Sequence, residues 1–112
     1  MESKSRQIVF KNIDEERERQ EKKHGHKNKT IDALTHKPLI LLMEELGEAA
    51  QTLDELDNAE DPSIRHNLIQ HYYLELLQTT ALGIQQLERL RDQGYVVVWD
   101  SQISGIECVG PT

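Results

Sequence analysis

The chain has little with which to build a large or covalently braced core. A single cysteine, Cys108, in 112 residues rules out an internal disulfide and suggests no thiolate metal site. Phe10, Tyr72, Tyr73, Tyr95 and Trp99 are all of its aromatics. The core therefore falls mostly to Leu, Ile, Ala and Val. Long apolar runs are missing too. Runs such as Leu39 to Met43 are far short of the ~20 residues that cross a bilayer, and no charged-then-apolar signal stretch opens the chain. Cytoplasmic residence without membrane association is the expectation. Basic charge is scarce: 13 Lys and Arg against 20 Asp and Glu leave a net charge of −7. That disfavours duplex binding, which needs a basic footprint to displace counterions, so no nucleic-acid partner is expected.

The charge is unevenly placed. Lys11, Arg17, Arg19, Lys22, Lys23, Lys27 and Lys29 crowd residues 11–29, whereas residues 44–61 carry carboxylates and no base. A basic segment beside an acidic one suits a phosphate ligand held through a metal ion. Charged, solvated helix faces would look similar. The length predicts one domain, 1–112, with a core over about 5–92 and a tail over 95–112. A domain of that size leaves much of its surface wet, so burial by self-association is expected.

The predicted class is all-α, a helical bundle. Residues 5–24 read as a polar helix broken around His24-Gly25-His26 and followed by a polar connector over 25–35. Pro38 fits the first turn of a second helix running to about Asp57, with Leu42, Leu46, Ala49, Leu53 and Leu56 on one face. Asp61-Pro62-Ser63 restarts the chain into a third helix, Pro62 to Asp92. Ile69, Tyr72, Leu76, Leu77, Thr80, Ile84 and Leu87 give it a broad apolar face, and Gly94 reads as its C-terminal cap. The short connection predicts two long antiparallel helices. The extended C-terminal tail, Tyr95-Val96-Val97-Val98-Trp99 onward, reads as a short strand or as an arm packing on a partner subunit.

Chemistry concentrates on the two long helices. At about 100° per residue, Leu41, Glu45, Glu48 and Thr52 form a narrow strip bordering the apolar face of the second helix. Glu75 and Gln78 repeat the three-residue spacing on the third helix, with His71 one turn earlier. With these strips facing, Glu45, Glu48, Glu75 and Gln78 would meet, and three carboxylates together repel unless a cation neutralises them. Oxygen ligands suit magnesium or manganese. Gly47 costs roughly 1 kcal/mol against alanine inside a helix, so close approach of a helix or ligand is expected there. The plain alternative is a solvated Glu-x-x-Glu face.

Ile40-Leu-Leu-Met-Glu-Glu-Leu-Gly-Glu-Ala-Ala50, followed by Leu74-Glu-Leu-Leu-Gln-Thr-Thr-Ala81, resembles the MazG-like all-α nucleoside triphosphate pyrophosphohydrolases. Their signature is Glu-Glu-x-x-Glu on one helix and Glu-x-x-Asp on the next. Glu18 to Gly25 is similar to the stretch before the motif in the short bacterial and phage type, and the likeness covers roughly residues 15–92. The resemblance implies hydrolysis of a nucleoside triphosphate to the monophosphate and pyrophosphate, with Mg2+ (or Mn2+) as cofactor. It implies Glu45, Glu48, Glu75 and Gln78 as metal ligands. Glu44 would hold or activate the attacking water, directly or through a metal ligand, and Glu45 is the second catalytic candidate. The resemblance also implies a homodimer or homotetramer. Gln78 stands where the family usually has Asp, and its amide adds no charge. A catalytically weak or inactive nucleotide-binding oligomer is therefore the competing expectation.

Lys23 and His24 precede the predicted break and are candidate substrate contacts, as is His71 on the Glu75 strip. His24, His26 and His36 lie over a polar connector with no ligand spacing of their own. Tyr72 and Tyr73 are expected in the core. Trp99 would cover a partner's pocket or anchor the tail.

Overall fold

The computed structural model describes residues 3–28, 31–100 and 105–111, with side chains over 3–25 and 31–95. Three helices, α1 (Lys4–Asn28), α2 (Lys37–Asn58) and α3 (Pro62–Asp92), form an all-helical body. Two strands follow, β1 (Tyr95–Asp100) and β2 (Gly105–Pro111), which pair antiparallel with Trp99 opposite Ile106. The short strand expected for the tail forms. The β-branched run from Val96 to Val98 finds a partner strand within its own chain. Among the described residues no helix is long and apolar enough to cross a membrane. The side chains of His26, Lys27 and Trp99, and Lys29 entirely, lie outside what is described.

Each helix end has a local cause. Pro38 occupies the first turn of α2, where its missing N–H costs nothing. Asp61 caps α3: its Oδ1 accepts from the Ser63 hydroxyl at 2.9 Å and from the Ser63 and Ile64 backbone N–H groups at 2.8 and 3.4 Å, and these bonds, the hydroxyl's first, hold its carboxyl below the usual carboxylate range. Arg65 donates to the carbonyls of Leu56 and Ala59, at 2.8 and 2.9 Å, satisfying acceptors that the end of α2 leaves open. Gly94, at φ 93°, ends α3 as its spacing predicted.

The expected break at His24-Gly25-His26 does not occur, and α1 runs through it to Asn28. A glycine weakens a helix without interrupting its i→i−4 hydrogen bonds. The bare α-carbon lets the Glu21 carboxylate lie close. A Cβ on Gly25 would stand 2.6 Å from Oε1 of Glu21.

α3 is the central element. It packs on α1 and on α2, and the two flanking helices do not contact each other among the described residues. On α2 the sheltered positions are Pro38, Leu42, Glu45, Ala49, Thr52 and Leu56, alternating steps of four and three. On α3 the matching set is Leu68, Tyr72, Glu75, Thr79 and Leu82, with the same alternation. This is the spacing of two helices packed along a seam. A second stripe on α3, Gln78, Ala81, Gln85 and Arg89, serves α1, whose sheltered residues include Ile13, Glu16, Arg17 and Gln20.

The seam corrects the expected core. Leu46 and Leu53 lie beside it and remain 55% and 38% exposed; Ile69, Leu76 and Leu87 on α3 are likewise outside. Tyr73 is 46% exposed, its hydroxyl accepting from Asn12 Nδ2 at 2.7 Å, so it is not a core residue. Among the described residues the buried apolar side chains, besides Pro38, are Ile13, Ala33, Ala49 and Ala81. The radius of gyration is 17.0 Å, against about 13 Å for a compact domain of this length.

Candidate functional site

The seam between α2 and α3 carries polar groups at its middle. Glu45 and Thr52 come from α2 and Glu75 from α3. Glu75 is the best buried of the acids, at 5% exposure. Thr52 Oγ1 donates to its Oε1 at 2.5 Å, and His71 Nε2 stands 3.8 Å from its Oε2. The Thr52 hydroxyl also lies 3.2 Å from the Glu48 carbonyl. It has one proton to give, and the carboxylate is the stronger acceptor. Thr52 therefore fixes one oxygen of Glu75 across the interface.

Glu45 is half-buried; Glu44 and Glu48 are exposed. Burial pushes the Glu45 carboxyl above its ordinary range, and repulsion from Glu48, Glu75 and Glu44 adds to it. Glu45 thus feels the acids of both helices, while the one imidazole beside the group among the described residues, His71, faces Glu75. The acids are not gathered into a cage, however. Among the described residues, no three carboxylate, imidazole or thiol groups stand close enough to hold a metal ion.

Gln78 does not join this group by hydrogen bonding. Three residues past Glu75 is a further 300° around α3, which places it on the stripe serving α1, where its backbone carbonyl accepts from Gln20 Nε2 at 3.3 Å. Its side chain is half-buried. Lys23 and His24 are exposed on α1, and neither makes a hydrogen bond or ion pair in the described residues. His71 is 59% exposed and meets the site only through Glu75.

Gly47 departs from expectation. A Cβ there would meet nothing within 4 Å, so no neighbour among the described residues explains the glycine.

Sequence pattern missed two groups. Thr52 was visible on the acidic strip, but its role as a donor to Glu75 required knowing the seam. Glu16, 6% exposed on α1, is held by both Nε and Nη2 of Arg19 at 2.7 Å and by Gln20 at 3.1 Å. The Arg19 hydrogen bonds hold its carboxyl below the usual range. Its i+3 and i+4 partners were readable as spacing, though nothing in the spacing told a buried acid from a surface one. Comparison with family models, characterised proteins and solved structures returned no match to this chain.

Proposed function

We propose that the chain is a magnesium-dependent nucleoside triphosphate pyrophosphohydrolase of the MazG-like type, built on α2 and α3 as an antiparallel pair. The observation that supports this is the placement of a buried Glu75 and a half-buried Glu45 in one helix seam, with Glu44 and Glu48 beside it on α2. A seam position is where an apolar residue would stabilise most, so a carboxylate there needs a reason. A hard divalent cation supplies one, and the available oxygens are the right ligand type for it.

In this reading Glu45, Glu48 and Glu75 supply charge to the cation, and Thr52 keeps Glu75 aimed at it. Glu44 and Glu48 are exposed and make no side-chain hydrogen bond or ion pair among the described residues, so they can turn toward the ligand. Glu44 holds the attacking water. Gln78 offers at most a neutral amide oxygen. Lys23, His24 and His71 are candidate contacts for the phosphates and sugar. Bound magnesium would neutralise phosphate charge and lower the pKa of a coordinated water.

We further propose that the working form is a homodimer or homotetramer. Leu39, Ile40, Met43 and Leu46 lie 50–71% exposed on α2, away from its seam with α3. So few buried apolar residues and so open a helix arrangement leave the single chain short of a core.

The test is pyrophosphate release from a panel of nucleoside triphosphates with magnesium. Release that is lost in Glu45→Gln supports hydrolysis. Gln78 favours a second reading, nucleotide binding with little or no turnover. It predicts calorimetric binding without products, and a gain of activity in Gln78→Asp. Neither binding nor release from any nucleotide, in protein folded by circular dichroism, would remove both.

A further inference from the structure

A cavity of about 280 Å3 lies between α1 and α3, lined among others by Arg17, Glu21, Gln85, Arg89 and Asp92. It is separate from the acidic seam, since Gln85 is ten residues past Glu75, about 15 Å along the helix. Two of its walls are polar side chains that are more than nine-tenths buried. Gln85 is 7% exposed and its amide makes no hydrogen bond in the described residues. Arg89 is 8% exposed, and its single hydrogen bond runs from Nη1 to the neutral Oε1 of Gln86 at 2.5 Å. Arg17 adds an Nη1 that is buried without a partner. The Gln85 amide and the remaining Arg89 N–H groups line the cavity without a partner among the described residues, so an acceptor placed there would pair with them.

Charge narrows the ligand. Arg17 is committed: its Nε and Nη2 hold Glu88 at 2.8 and 3.0 Å, and Nη2 also reaches Glu21 at 3.3 Å. Among the described residues Arg89, between Arg17 and Glu21, is the cation of the sheltered wall that makes no hydrogen bond to a carboxylate. The exposed side has the carboxylates of Asp92 and Glu21, the latter given room by Gly25. A polyanion such as a triphosphate would meet two carboxylates at the entrance. A simple cation would meet Arg89 within. A planar carboxylate matches the guanidinium fork and the Gln85 amide, while an ammonium group on the same ligand would face Asp92 and Glu21. The volume lies below the range of drug-sized sites.

We propose that this cavity binds a small zwitterion of amino-acid size, its carboxylate on Arg89 and Gln85 and its ammonium group at Asp92 and Glu21. The site is independent of the hydrolase proposal and stands or falls separately.

The experiment follows the Gln85 side-chain amide resonances of the intact chain during titration with glycine, β-alanine, L-glutamine and L-lysine. Acetate, methylammonium and inorganic phosphate serve as single-ended controls. Saturable shifts are expected with at least one zwitterion, at concentrations at least tenfold below any of the controls. Gln85→Leu, which keeps the side-chain volume, should weaken that binding about tenfold, read from the backbone amides of Arg89 and Asp92. Arg89→Lys should weaken it as well, by losing the two-pronged contact. No saturable shift with any zwitterion would overturn the proposal. So would phosphate binding more tightly than every zwitterion, or undiminished binding in a Gln85→Leu protein folded by circular dichroism.

Discussion

Thr52 on α2 and Glu75 on α3 are joined by a 2.5 Å hydrogen bond inside the helix seam, hydroxyl to carboxylate. Both residues are buried, at 4% and 5% exposure, so this polar bond occupies a place where an apolar contact would ordinarily sit. Removing the hydroxyl leaves a buried carboxylate oxygen without its donor. Thr52→Val is expected to cost about 1–3 kcal/mol in urea unfolding, whereas Thr52→Ser keeps the donor and most of the stability. Equal behaviour of the two variants would show the bond to be energetically idle.

Glu45 carries the opposite sign. Its folded-state carboxyl titrates above the ordinary value of 4.5, through burial first and then its acidic neighbours. A raised carboxyl favours the folded state while protonated, and that benefit disappears as pH rises through the folded value. Near neutral pH without metal, Glu45→Gln is therefore expected to raise the melting temperature by about 2 °C. Magnesium should reverse the ranking, stabilising the parent by up to about 2.7 kcal/mol at a hundredfold excess over its dissociation constant and leaving the variant unmoved. Thermal scans at pH 7 with and without magnesium check both halves.

Acid should act elsewhere on the molecule. Glu16 and Glu88 titrate below 4.5, held down chiefly by hydrogen bonds from Arg19 and Arg17. Their contribution is present above 4.5 and is lost as pH falls through the folded values. The Arg17–Glu88 pair ties α1 to α3, so Glu88→Gln should flatten the acid limb of the stability curve. The cost at pH 7 should be no more than about 1 kcal/mol, because Glu88 is half-exposed.

Gly47 offers a test of what covers α2. Space at its α-carbon is open in the single chain, so Gly47→Ala is expected to stabilise by about 0.5–1 kcal/mol. A loss instead would place a second copy or a ligand directly against that turn. Sedimentation complements it. The chain should run at twice 12.9 kDa or more, with a melting temperature that rises with protein concentration. A concentration-independent monomer would contradict the assembly.

The sequence showed the helices more clearly than their faces. Pro38, Asp61-Pro62 and Gly94 are local signals whose physics is complete within a few residues, and α3 was predicted over its observed span. The apolar face of α2 was predicted about one residue off, because hydrophobic periodicity sums every surface a helix covers. Leu46 and Leu53 belong to the outside of α2, whereas the seam with α3 includes Glu45 and Thr52. The same offset hid Tyr73's exposure. It also carried Gln78, placed with the acids by spacing, onto the stripe that meets α1. Glu45 and Glu75 fall on the two sheltered stripes that form the seam, whereas Glu48 is exposed beside it. The His24-Gly25-His26 break failed for a different reason: a glycine's effect depends on its neighbours, here Glu21, which composition does not reveal.

The most direct test of the acidic seam as a cation site is titration of the 15N-labelled protein with substoichiometric Mn2+, followed by paramagnetic broadening of backbone amides. A site on the seam predicts that the amides of Glu45, Glu48, Thr52 and Glu75 broaden first, and that Glu45→Gln abolishes this. Broadening spread evenly over the acidic surface, or centred on Asp54, Asp57 and Asp61, would contradict it.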